Sequence, residues 1–232
     1  MTNQSYDWSV TIQEVFMPLQ TFENLPQDKR QRIIECAIDE FAQHDYASAS
    51  ISKIVTKAGI AKGSLYQYFN DKNDLYTYLL DLVSQTKAEL MAKAFHQENK
   101  LPIFESLLAL FSVMANFELQ YPKLAKIGYK ATSGKSPLPE DLLIKGKHAT
   151  IQYFVTLINQ GKAGGEIRPD IDAEIAAFIF VSALSEMGNY VSTYSLSKSI
   201  GVNPGKPTAA QRSDIERLYK QVIMILKNGI AN

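Results

Sequence analysis

The sequence predicts an all-α protein: an N-terminal three-helix domain built around a helix-turn-helix, then a larger C-terminal helical domain. Three observations carry this. Apolar residues recur at i, i+3, i+4 spacing through most of the chain, with no strand-like alternation and no internal repeat. Glycine and proline clusters break the pattern at helix-length intervals. Between Ile51 and Tyr76, two short apolar stripes flank Gly59, the layout of a helix-turn-helix.

Residues 1–21 read as an extension. Trp8, Val10, Ile12, Val15 and Phe16 form no long stripe, and no Lys or Arg precedes Lys29, so a DNA-touching arm is discounted. The first helix spans Gln27 to His44, with Ile33, Ile34, Ala37, Ile38, Phe41 and Ala42 on one face. Lys29, Arg30 and Arg32 on its outer side read as a solvated face, with phosphate contact as the alternative. Cys36 within it reads as a packing residue rather than a redox sensor.

Ser50 is placed to cap the next helix, where Ile51, Ile54, Val55 and Ala58 face inward. Gly59 follows, where a left-handed backbone costs least, and Ile60 plugs the angle between the two helices. Lys62 to Phe69 is predicted as a recognition helix of about two turns. Leu65 and Phe69 face inward there; Lys62, Ser64, Gln67 and Tyr68 are left outward or near the helix start. A polar, hydroxyl-rich helix of this kind is the element that enters a major groove. From Tyr46 to Lys72, Lys53, Lys57, Lys62 and Lys72 stand against Asp71 alone, a formal +3 where phosphate would lie. A further helix is predicted from Asp71 to His96.

Helices are also predicted at Pro102–Leu119, Pro122–Ala131, Glu140–Gly161, Asp172–Tyr194 and Ala209–Lys227. The breakers between them include residues 132–137, Gly164-Gly165, Arg168-Pro169 and residues 201–207. Ile175 to Val181 is apolar all round, which suits a helix covered on two sides. The last helix carries Ile215, Leu218, Tyr219, Val222, Ile223 and Leu226 as one stripe.

These residues resemble the DNA-binding domain of the TetR/AcrR family of transcriptional regulators. The matching positions are Phe41-Ala42, Tyr46, Ser50, Ile54, Ala58-Gly59-Ile60, Gly63-Ser64-Leu65-Tyr66, Tyr68-Phe69, Lys72 and Leu75. Many positions at fixed spacing make this far more specific than a lone short motif. Asp45 stands where the family pattern has Gly, and is expected to take the left-handed turn itself. Ala61 replaces the usual Ser cap of the recognition helix, leaving N–H groups that a phosphate would satisfy.

The resemblance implies a homodimer whose last two long helices pair with their copies. Ile179, Leu218, Val222 and Leu226 are the candidate contacts, against the alternative that both helices close the monomer core. It implies that Ser64, Tyr66, Tyr68 and Lys72 bind phosphate, with Ser50 and Ser52 at the start of the supporting helix. Tyr66 and Tyr68 also read as packing residues. Lys62 and Gln67 are placed to reach guanine and adenine edges, and Gly63 lets backbone approach backbone.

Composition narrows the rest. Lys plus Arg equals Asp plus Glu, which argues against a broadly basic nucleic-acid coat but not against a compact groove reader. One cysteine forms no intrachain disulfide and suits a reducing compartment, here the cytoplasm. No secretory signal is evident, no apolar run spans a bilayer, and no membrane partner is expected. His44, His96 and His148 stand alone, without metal spacing, and no nucleophile elbow or phosphate-cradling glycine loop is present. No enzyme activity, metal or cofactor is expected.

The expected domains are residues 1–21, 22–75 and 76–232. The expected function is a repressor released from double-stranded operator DNA by a small hydrophobic or planar effector. The alternatives are a helical interaction module, or an activator without effector-induced release. Candidate effector-lining residues are Phe104, Leu108, Phe111, Met114, Phe117, Tyr121, Tyr153, Phe178 and Tyr190, each also readable as plain core. Glu105, Asn116, Glu118 and Glu186 are the polar groups available to orient it.

Overall fold

A computed structural model describes residues 20–94, 101–133, 136–198 and 208–230. The extension to residue 19 and the breaker at 201–207 lie outside them. Every regular element among the described residues is a helix, as the apolar spacing predicts. The helices are α1 Gln20–Glu23, α2 Gln27–Gln43, α3 Ile51–Ala58, α4 Lys62–Leu65, α5 Lys72–Ala94, α6 Ile103–Gln120, α7 Pro122–Thr132, α8 Glu140–Ala163, α9 Ala173–Lys198 and α10 Ala209–Ile230. They fall into two units. One comprises the chain to Gln85 with Lys126–Pro137; the other comprises Thr86–Ala125 with the chain from Leu138 onward. Helix α5 contributes to both.

In the first unit, α2 buries Ile33, Ile34, Ala37, Phe41 and Ala42. It ends where His44 goes extended, at φ −119° and ψ 148°. The left-handed turn expected at Asp45 is not used: among the described residues only Gly59 and Gly165 have positive φ. Instead the Asp45 carbonyl accepts Ser48 and Ala49 N–H, and Lys130 takes over the helix end. Its ammonium donates to the carbonyls of Phe41 and Ala42, both at 3.2 Å. A cation there satisfies orphan carbonyls and complements the helix dipole.

Ser50 caps α3, its side chain accepting from Lys53 N–H at 3.4 Å, while Glu40 accepts the Ser50 N–H at 2.9 Å. Gly59 closes α3 at φ 69°, with Ile60 N–H returning to the Val55 carbonyl. Asp71 caps α5 by accepting from Asp74 N–H at 2.8 Å, and the buried Asp74 carboxylate reaches back to Asn70 N–H at 2.9 Å. The core of this unit is aromatic on one flank. Phe22 is fully buried, with ring centroids 4.8 Å from Phe69 and 5.6 Å from Tyr78.

In the second unit, α6, α8, α9 and α10 share a core of Phe104, Leu107, Phe111, Phe154, Ile158, Ala177, Phe180, Ile215, Tyr219 and Ile223. Helix α6 is long and apolar enough to cross a membrane by length and composition, but its apolar residues are largely spent on this core. Glu166, in the turn after α8, accepts the Ile103 N–H that opens α6 at 2.9 Å. Gly161 makes room for that turn: a Cβ would sit 2.9 Å from Ile167 Cδ1 and 3.0 Å from Ile103 Cδ1. Arg168 ties off α10, its N–H and guanidinium donating to the carbonyls of Ile230 and Gly229. The all-apolar stretch of α9 is covered on one side only. Ala176, Ala177, Phe180 and Val181 are buried, whereas Ile175, Phe178 and Ile179 are exposed.

Candidate functional site

The recognition element departs from its expected length. Helix α4 runs only from Lys62 to Leu65, and residues 66–68 form a tighter turn. Gln67 N–H returns to the Ser64 carbonyl, and Tyr68 N–H to the Leu65 carbonyl at 2.9 Å, both three residues back. Such bonds bring residues three apart onto one face. Tyr68 therefore follows Leu65 inward. It is 7 % exposed, its ring centroid 5.9 Å from that of Phe22, which corrects its expected outward position.

The outward set is Lys62, Gly63, Tyr66 and Gln67, all exposed, with Ser64 half-buried. The Thr21 hydroxyl donates to the Gln67 carbonyl, so the short α1 braces this element from behind. Gly63 is informative. Its φ is not positive, and a Cβ there meets nothing within 4 Å. The fold does not require a glycine at this point, and the position is open to close approach from outside. Ala61 supplies no side-chain cap to the first N–H groups of α4, which face solvent.

Lys62 and Lys53 are exposed, whereas Lys57 pairs with Asp39 at 3.5 Å. Lys72 is half-buried. It donates to the Ala47 carbonyl at 3.3 Å and lies 4.6 Å from the Tyr46 ring centroid, and burial lowers its pKa. Ser50 is occupied as a cap, while Ser52 is exposed on α3.

The candidate effector residues do not gather into one place. Phe104 and Leu108 border an open groove of about 240 Å³, completed by Glu105, Lys220, Ile223, Met224 and Lys227. Phe111 and Phe117 are core residues, and Met114 is half-buried. Tyr121, Tyr153, Phe178 and Tyr190 are exposed, and Tyr153 packs edge-on against Phe154. Around Phe111 and Phe117 the structure instead assembles Lys87, Glu118 and Tyr219. Phe111 and Tyr219 have centroids 5.4 Å apart, and the Lys87 ammonium lies 5.1 Å from the Phe117 centroid. Burial pushes the Glu118 carboxyl up to about 7, against the opposing pull of Lys87.

Sequence reasoning named Glu118 as a polar group but did not bring Lys87 and Tyr219 beside it. The signal was available. Leu75, Leu79 and Val83 are buried at four-residue spacing, and Lys87 is the next member of that series. Tyr219 sits likewise between buried Ile215 and Ile223. Among the described residues no group of three or more His, Cys, Asp or Glu is placed to hold a metal ion.

Two family descriptions match the chain. Residues 33–79 match bacterial regulatory proteins of the tetR family, and residues 101–231 match a tetracyclin repressor-like C-terminal domain. The chain is 21% identical over 209 residues to the fatty acid metabolism regulator protein of Bacillus subtilis (strain 168), covering 88% of this chain and 96% of that one. A crystal structure of a TetR family transcriptional regulator from Chloroflexus aurantiacus J-10-FL is 38% identical, with a TM-score of 0.77 over 93% of this chain and 99% of that one. A gamma-butyrolactone receptor shares the fold at 23% identity, with a TM-score of 0.57 over 85% of this chain and 98% of that one.

Proposed function

Because the chain belongs to the TetR family of bacterial regulatory proteins, we propose that it is a homodimeric repressor that grips operator DNA and releases it when a small effector binds. Its work is binding rather than catalysis, and the DNA target places it in the cytoplasm. The observation that carries this is the outer face of α4 and of the turn that follows it. Lys62, Gly63, Tyr66 and Gln67 stand exposed above buried Leu65 and Phe69, and the glycine there has no use within the fold.

In this reading α4 lies in the major groove. Lys62 and Gln67 meet base edges, Ser64, Tyr66 and Lys72 meet phosphate, and Ser50 and Ser52 open the supporting helix. Two copies are needed because one short recognition helix gives little affinity, and a dimer addresses two half-sites about 34–36 Å apart. The apolar face of Ile175, Phe178 and Ile179 on α9, with Ile225 exposed on α10, supports a subunit interface there. Leu218, Val222 and Leu226 are half-buried, so Ile179 is the better site for a disrupting charge. The fatty acid metabolism regulator and the gamma-butyrolactone receptor are named for small, largely apolar molecules, which supports an effector of that kind.

The test is selection of duplex DNA from a random pool by the full chain, followed by anisotropy titrations at several salt concentrations. A palindromic consensus bound far more tightly than scrambled DNA is expected. Equal affinity for both sequences would remove the repressor reading.

A further inference from the structure

Helices α5, α6, α9 and α10 of the second unit bring polar groups to one interior place. Glu118 Oε2 and the Tyr219 hydroxyl are both shut off from solvent, and neither has a hydrogen-bond partner. Tyr219 is only 1 % exposed. Orphaned buried polar atoms are uncommon and call for a reason. Glu118 also lies against the backbone of α9, where a Cβ on Gly188 would collide with Oε1 and stand 3.5 Å from Cδ. Gly188 does not have a positive φ, and a glycine inside a 26-residue helix is otherwise unfavourable. It is there to admit the carboxyl group.

The groups facing Glu118 can be named helix by helix. Helix α5 supplies the Lys87 ammonium, α10 the Tyr219 hydroxyl, and α9 the bare backbone of Gly188. Burial lowers the pKa of Lys87 while Glu118 opposes that shift, and burial followed by the Glu118 charge raises that of Tyr219. Lys87 and Tyr219 thus each lie within electrostatic reach of Glu118.

We propose that Lys87, Glu118 and Tyr219 form the polar end of the effector site and that the effector is an amphipathic monoanion with a carboxylate head group. The proposal rests on the ligand-responsive reading above. A carboxylate accepts from the ammonium, the phenol and the protonated Glu118, so every orphan gains a partner and the Lys87 charge is balanced. Its apolar body lies along Phe111 and Phe117. An ammonium ligand would meet the Lys87 charge. A neutral head group would fill the orphans but leave Lys87 uncompensated whenever Glu118 holds its proton.

The test uses the full chain and matched probes: decanoate, decanol and decylamine, with their dodecyl counterparts. Binding is measured by calorimetry above pH 7 in two buffers of different ionisation enthalpy. The carboxylates should bind at least about tenfold more tightly than the alcohols and amines, with uptake of a proton by Glu118. Glu118→Gln keeps a donor and should retain binding while abolishing the uptake; Lys87→Met should lose at least about tenfold. Amine or alcohol binding equal to carboxylate binding, no binding by any probe, or uptake that persists in Glu118→Gln would overturn the proposal. Operator affinity measured alongside separates the two ideas. Carboxylates that bind as stated but leave the operator complex intact sink effector-induced release and spare the site. An operator complex released only by amines does the reverse.

Discussion

Replacing Gly63 with alanine should raise folding stability and weaken DNA binding, two effects of opposite sign from one methyl group. Gly63 is the second residue of α4, its φ is not positive, and the new Cβ meets nothing within 4 Å. Alanine is therefore accommodated without strain, and it lowers the entropy of the unfolded chain. Glycine costs ~0.5–1 kcal/mol against alanine inside a helix, and the single turn of α4 suggests the lower figure. A chain of this size should then melt about 1–2 °C higher. At the operator the methyl group stands between the helix start and the phosphate that its uncapped N–H groups would meet. Losing one charge-assisted hydrogen bond costs ~1.5 kcal/mol per subunit, hence ~3 kcal/mol per dimer, roughly 150-fold in Kd. Differential scanning calorimetry and fluorescence anisotropy on the same preparation read both quantities. A higher melting temperature with an operator Kd changed by less than about threefold would refute the placement of Gly63 against phosphate. A lower melting temperature would refute the account of its backbone.

Other outcomes follow from the same geometry. Lys72→Ala should weaken binding to all sequences alike and lower the salt slope by roughly one per subunit, whereas Lys62→Ala or Gln67→Ala should relax preference at particular base pairs by ~1–3 kcal/mol; titrations against an operator point-mutant set distinguish them. Phe22→Ala empties a fully buried position against Phe69 and Tyr78 and should cost ~3–5 kcal/mol in urea unfolding. Glu118 has its pKa raised from 4.5 to about 7 on folding. The folded state therefore binds more protons between those values, and stability falls as pH rises through that window. The slope approaches ~1.4 kcal/mol per pH unit at most. Urea unfolding of Glu118→Gln from pH 5 to 8 should show the slope flattened.

What the sequence determined by itself was local. The ends of α3 follow from Ser50 and Gly59, whose capping bonds reach only a few residues, and the starts of α6 to α10 follow to within a residue from proline, glycine and apolar spacing, while α9 and α10 run on past their expected ends to Lys198 and Ile230. The polar set on α4 was legible for the same reason, since the side chains available there depend on the chain order alone. Tertiary structure decided what depended on neighbours far along the chain. Tyr68 turned inward because the last turn of the recognition element tightened to three-residue bonds and Phe22 offered its ring a surface. The end of α2 needed no left-handed Asp45 because Lys130, eighty-nine residues after Phe41, reached its carbonyls. The gathering of Lys87, Glu118 and Tyr219 was foreshadowed only by polar groups on otherwise apolar stripes. A stripe shows which residues point inward; which helices then meet across the core, and so which buried charges share one interior, is fixed by packing between segments that have no spacing in common.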